Sequence, residues 1–247
     1  VFLFLLMQGA PSFFSPVGSD EGDSIRIAND GFLNYVAPLV FGTIWSSLLA
    51  MLLALPVGIG VALFISHFTN RRYSGIMGFV IDMLAAVPSV VFGLWGILIL
   101  APIMGPMYKW LGQNMQWFPL FAGDATPTGK NMMTAAIVLA IMILPIITSL
   151  CREIFLQTPR LHEEASLALG ATKWEMVQQS VFPYARSGMF ASAILALGRA
   201  LGETMAVTMV LASAEIVTFK LLTSQNPTTI AAAIAQKFPE SHGMDSQ

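Results

Sequence analysis

Charge is what this sequence has least of. Across 247 residues only 11% are Asp, Glu, Lys or Arg, against about 25% in an ordinary soluble domain. A water-soluble fold of this length could not cover its surface with so few. The net charge of −2 comes with no basic patch, so the sequence carries no electrostatic footprint for nucleic acid. Cysteine is nearly absent too. Cys151 stands alone, which excludes a disulfide framework and a Cys-based zinc site within one chain. The histidines His67, His162 and His242 are scattered, and His162-Glu163 lacks the second histidine of a zincin. No metal or other cofactor is expected.

A nucleotide site is missing as well. Gly123-Asp-Ala-Thr-Pro-Thr-Gly129-Lys130-Asn131 imitates a phosphate-binding loop, but five residues rather than four separate its glycines. Asn131 also replaces the Mg-binding Ser or Thr, and no strand precedes it. The chain itself is therefore not expected to be an enzyme, and any ATP would have to be hydrolysed by a partner.

What is abundant is apolar sequence in long blocks: 55% of residues are hydrophobic and the mean hydropathy is +0.71. Four blocks, 38–66, 76–104, 131–150 and 187–213, each supply about 20 residues or more, enough to cross a hydrocarbon core of roughly 30 Å as helix. Pro56 and Pro88 predict kinks or tilt in the first two. Trp110 and Trp117, beside Phe118 and Phe121, fit an interfacial belt. Residues 1–8 read as the remnant of an N-terminal membrane helix and 9–37 as an external loop. Residues 38–213 form the membrane core, and 214–247 read as an external segment ahead of a further helix. The expected fold is an all-α integral membrane bundle in contact with lipid.

Lys and Arg placement orients the bundle. Segment 67–74 holds Arg71 and Arg72, and segment 151–186 holds Arg152, Arg160, Lys173 and Arg186. Arg26, Lys109, Lys130, Lys220 and Lys237 lie on the other side, spread over much longer segments, so the two sides differ in density rather than in number. By the positive-inside rule the denser side is cytoplasmic.

The cytoplasmic loop reads Glu163-Glu164-Ala165-Ser166-Leu167-Ala168-Leu169-Gly170, then nine residues, then Ser180-Val181-Phe182-Pro183. Good helix formers precede Gly170, small Ala165 and Ala168 permit close approach, and Gly170 suits a left-handed helix stop. Such a short helix between two spans can dock on another protein; the plainer alternative is a solvated connector. The spacing resembles the signature loop of ABC importer permeases, with Ser166 in place of the third small residue of Glu-Ala-Ala and Ser180 where an aliphatic is usual. The resemblance implies a type I importer permease fold, with Glu163, Glu164, Ala165, Ser166, Gly170 and Ala171 forming the coupling helix that seats on an ATPase.

Three further stretches narrow the resemblance: Pro88-Ser89-Val90-Val91-Phe92-Gly93-Leu94-Trp95-Gly96, Leu169-Gly170-Ala171-Thr172-Lys173-Trp174-Glu175, and Gly198-Arg199-Ala200-Leu201-Gly202-Glu203-Thr204-Met205-Ala206-Val207. Together they are similar to phosphate-specific transport permeases, the last one more to the PstC-type than to the PstA-type subunit. The family implies a bacterial inner-membrane location, ATPase subunits below (PstB-like), a second permease alongside (PstA-like) and an extracytoplasmic phosphate-binding protein above (PstS-like).

The residues themselves add an argument. Arg199 falls near the middle of the last block, and a mid-membrane charge costs roughly 2.5–3.5 kcal/mol on insertion scales. Glu203, one turn later, is placed to pair with it. A guanidinium suits phosphate oxygens because its N–H donors form a planar fork. Glu203 would either hold Arg199 or accept a hydrogen bond from a protonated phosphate oxygen, and Gly198 and Gly202 would admit a neighbouring helix. The competing explanation is a structural ion pair. Thr204 and Ser89 join the candidate substrate pathway, and Asp82 stands between a pathway residue and a packing partner for an arginine. Two functions from outside the phosphate reading remain: a permease for another oxyanion such as sulfate or molybdate, and a secondary transporter or channel. The latter leaves the loop spacing unexplained.

Overall fold

The structure, a computed structural model, describes residues 32–211, 213–214 and 216–237. The expected helix remnant at 1–8, most of the expected external loop at 9–37, and the end of the 214–247 segment lie outside those residues.

The described residues begin with α1 (Phe32–Leu63), which continues without a break into a π-helical turn, Phe64–Phe68. Pro38 and Pro56 both lie inside it. Its hydroxyls turn back on the helix: Thr43 Oγ1 donates to the Leu39 carbonyl at 2.7 Å and Ser47 Oγ to that of Thr43 at 2.6 Å. That satisfies polar groups in an apolar setting.

The block expected as one span over 76–104 is two helices. α2 (Arg71–Ala85) stops at a turn through Ala86 and Val87, and a new helix starts at Ser89. Pro88 is the reason. It forces the residue before it out of the helical region and brings no N–H of its own, and its own backbone is extended (φ −60°, ψ 140°). The second helix runs from α3 (Ser89–Trp95) through a π turn (Gly96–Leu100) into α4 (Ala101–Asn114).

α5 (Met132–Leu156) is capped by Asn131, whose side chain accepts the Thr134 N–H at 2.9 Å. It is the central helix, packed most extensively against α1 and then against the helices either side of it. Ala135, Leu139, Met142, Ile143 and Ile147 on it are all buried in one core cluster with Ala50 and Ala54 of α1. After α5 come the short α6 (Arg160–Ala168) and α7 (Lys173–Met176), then a third π turn (Val177–Val181) that leads into α8 (Phe182–Leu201).

The last block also differs from its expectation. Helix does not run unbroken from 187 to 213. It ends at Leu201, bends through Gly202, Glu203 and Thr204, resumes as α9 (Met205–Val210), and turns extended at Leu211. A parallel pairing of β1 (Ser213–Ala214) with β2 (Asn226–Pro227) closes the following loop, and α10 (Ile230–Lys237) folds against α1 and α9. The Thr43 hydroxyl accepts the Ile230 N–H at 2.9 Å, so α1 itself caps α10.

Among the described residues three helices are long and apolar enough to cross a membrane: Tyr35–Phe68, Ser89–Asn114 and Met132–Leu156. α8 has 20 residues, but Arg186 and Arg199 lower its hydropathy. Large apolar side chains such as Leu52, Phe79, Leu98 and Phe190 face outward. A helix apolar on its outer face as well as its inner one suits lipid or a partner helix rather than water.

Candidate functional site

Two regions hold the residues that the sequence singles out. The first lies where α8 breaks. Gly202 ends α8, its N–H bonded to the Gly198 carbonyl at 3.2 Å. The break turns Glu203 away from Arg199, and the expected i, i+4 ion pair does not form. Glu203 is only 8% exposed, and its Oε1 instead accepts the Ala206 N–H at 3.1 Å, satisfying an orphan donor in the first turn of α9. Thr204 donates to the Gly202 carbonyl at 3.3 Å, and its own carbonyl accepts the Thr208 hydroxyl at 2.7 Å.

Arg199 is exposed and has no carboxylate within ion-pair distance among the described residues. It lines an open, mostly apolar hollow of about 720 Å³ with Ile146, Ala191, Ile194, Leu195 and Gly198. A guanidinium at the edge of an apolar surface is poorly hydrated on one side, which favours a bound anion over water.

The resembling stretches around Ser89 and Thr204 meet in space. α3 and α9 lie side by side, and glycine allows the approach: a Cβ on Gly93 would lie 2.9 Å from the Ala206 Cα, and one on Gly96 would lie 2.5 Å from a Val138 methyl and 3.2 Å from one of Val210. Gly93 faces the start of α9 and Gly96 its end, so the two helices run parallel. Ser89 therefore opens α3 at the same end of the pair at which Thr204 opens α9. Asp82 is placed differently. It is exposed on α2 and accepts the Ser149 hydroxyl of α5 at 2.5 Å. The arginine against α2 is Arg152, whose guanidinium lies across Gly78, with Nη1 2.8 Å from Glu153 Oε1. Its Nε is buried without a partner among the described residues. The one sequence signal for that contact was the glycine one turn before Asp82.

The second region is the loop helix α6. Its end is a Schellman stop: the Ala171 N–H bonds the Ser166 carbonyl at 3.3 Å and the Gly170 N–H bonds that of Leu167 at 3.0 Å. Gly170 carries the required positive φ of 90°. Glu164 and Ala165 are exposed, Ala171 is half-buried, and Ser166 is buried with its hydroxyl unpartnered. Leu169, at 90% exposure, and Leu161 project from the two ends of α6. Glu163 is turned inward, its Oε1 3.3 Å from His67 Nε2. Nothing in the spacing of the sequence flagged His67, because its partner lies 96 positions away.

The next turn is fixed by a capping box. The Thr172 hydroxyl accepts the Glu175 N–H at 3.3 Å, and the Glu175 carboxylate accepts the Thr172 N–H at 2.7 Å. That backbone bond, helped by the Thr172 hydroxyl, holds the Glu175 carboxyl below its ordinary range. Among the described residues no three His, Cys, Asp or Glu side chains come together as metal ligands do.

Known proteins bear on both regions. Residues 54–235 match the family described as binding-protein-dependent transport system inner membrane component. The chain is similar to phosphate transport system permease protein PstC 2 of Mycobacterium tuberculosis, 46% identical over 221 residues, 86% of this chain and 67% of that protein. The PstC of Mycobacterium leprae is 43% identical, with 86% of this chain and 68% of that one covered. The PstC of Mesorhizobium japonicum is 40% identical over 209 residues, covering 83% and 63%. The matched segment spans the loop that holds α6, the paired helices α3 and α9 and the break that follows Arg199, and the chain belongs to the family of binding-protein-dependent transport system inner membrane components.

Proposed function

We propose that this chain is one membrane-spanning half of an ATP-driven importer of inorganic phosphate. The observation that carries the reading is the identity to phosphate transport permeases across 221 residues. The geometry supplies a mechanism for it. Arg199, with no carboxylate at ion-pair distance among the described residues, offers its planar donors to an oxyanion passing the end of α8. Glu203 does not compete for that guanidinium, because it is engaged in capping α9. It positions the broken segment instead. Ser89 and Thr204, at the same end of the paired helices, supply hydroxyls to the same stretch of the pathway. Asp82, bonded to Ser149, lies on the other broken helix pair and contributes packing between α2 and α5 rather than a place on that route.

The sequence carries no phosphate-binding loop of the nucleotide-site pattern, and in this reading the energy comes from ATPase subunits (PstB-like) seated on α6 through Glu164, Ala165 and the surface ending at Gly170. A second permease (PstA-like) completes the pathway against the hollow at Arg199. An extracytoplasmic phosphate-binding protein (PstS-like) delivers the substrate. The test is uptake of labelled phosphate into membranes containing this chain and those partners, with sulfate and molybdate in parallel. Uptake that requires a hydrolysis-competent ATPase, and that excess sulfate does not suppress, supports the reading. Uptake that persists with an inactive ATPase overturns it.

A further inference from the structure

Three stretches among the described residues wind as π turns, and two of them hold the coupling helix. The turn Phe64–Phe68 closes α1 and contains His67; the turn Val177–Val181 opens α8 and contains Ser180. Consecutive residues in the first turn of α6 are gripped from these two sides. The Ser180 hydroxyl donates to the His162 carbonyl at 3.1 Å, and His67 Nε2 lies 3.3 Å from Glu163 Oε1. A π turn carries an extra residue per turn, is less stable than the α-helix around it, and tends to occur where a helix must adjust.

His67 is built in rather than draped. Its side chain is 8% exposed, its ring meets Phe155 of α5 edge-on at 6.5 Å, and Nδ1 is 2.7 Å from Ser66 Oγ. With the proton on Nε2, the imidazole donates to the Glu163 carboxylate and accepts from the Ser66 hydroxyl, so both nitrogens are used. The two turns lead in different directions. One runs into α1, the long helix packed on α5. The other runs directly into α8, which carries Arg199 at its far end.

We propose that these two π turns are the seat through which α6 moves α1 and α8, and that His67 is a positioning residue acting through Glu163. This rests on the transport reading above. Displacing α6 pulls on α8 through Ser180 and on α1 through His67. Without the His67 contact, α6 still moves but α1 no longer follows.

The test uses the full complex and reads phosphate transported per ATP hydrolysed, normalised to assembled complex. His67→Phe keeps a ring against Phe155 and removes the donor; Glu163→Ala removes the acceptor. Each is expected to lower the ratio about fivefold, with the double variant no lower than the worse single, as residues acting through one contact behave. His67→Gln, which can still donate to Glu163, should restore most of the ratio, an outcome a mere packing role would not give. An unchanged ratio in the single variants, or losses that multiply in the double, overturns the proposal. Should His67→Phe not assemble, Glu163→Ala decides alone, and a wild-type ratio there overturns it. A wild-type complex with no ATP-dependent uptake would instead overturn the transport reading itself.

Discussion

Arg199 stands exposed in the last turn of α8, so removing its charge strands no buried carboxylate. Glu203 is buried, yet Glu203→Gln keeps an amide oxygen for the Ala206 N–H. A buried ion pair would behave otherwise, because breaking one typically costs about 3–5 kcal/mol through the charge left behind. Neither substitution should therefore reduce the amount of assembled permease, which quantitative blotting of the purified complex would check. Loss of assembly in both single variants, recovered when both charges are removed, would restore the structural-pair explanation. Gly170 gives a second residue-scale outcome. Its φ of 90° and the empty space around it mean that a substitution meets backbone strain alone. A β-branched side chain in that region costs about 1–3 kcal/mol, whereas asparagine tolerates it. Gly170→Val should insert normally and lose ATPase association, and Gly170→Asn should retain most of it. Equal co-purification of the ATPase with both variants would contradict the coupling assignment. The left-handed stop at Gly170 was legible in the sequence because it depends on one residue type at the end of a run of helix formers. The fate of Glu203 was not. An i, i+4 spacing means adjacency only while the helix continues, and Gly202 ends it.

Helix breaks govern the element scale. Pro88 was visible as a kink, but a full stop required the turn at Ala86 and Val87, which depends on how α2 and α3 pack separately. The same holds for α3 and α9: Gly93, Gly96 and Ala206 stand in the stretches that carry the resemblance, while their mutual contact spans more than a hundred positions. The Thr172 to Glu175 spacing is a capping box in the structure, and its consequences follow from charge. The Glu175 carboxyl titrates below its ordinary range because its ionised form accepts the Thr172 N–H. The cap is therefore fully present above the ordinary carboxylate range and is lost as pH falls through the depressed value. Thr172→Ala at neutral pH should speed amide exchange across Lys173–Met176 roughly fivefold, corresponding to a lost cap of about 1 kcal/mol. Hydrogen–deuterium exchange of the intact complex measures it, and protection equal to wild type would contradict the cap.

At the scale of the whole molecule, the class was legible first, since scarcity of charge and long apolar blocks are properties of composition. The arrangement of the helices was not, because the outward faces are as apolar as the inward ones and periodicity does not separate them. α5 became central through small and branched residues packed against Ala50 and Ala54, a matching of shapes that no single block displays. Orientation has its own check. Lys173, between α6 and α8, should label only from the cytoplasmic side, and Asp124, in the loop before α5, only from outside. Single cysteines at these positions in a Cys151→Ser background, probed with an impermeant reagent, read this directly. Labelling of position 173 from outside would invert the topology and remove the ATPase from α6.

The central claim is that Arg199 supplies the cation on the phosphate route, and its most direct test is phosphate uptake by Arg199→Gln, normalised to assembled complex in the membrane. The account expects uptake to be nearly abolished while the complex assembles as in the wild type. Uptake near the wild-type level in that assembled complex would contradict it.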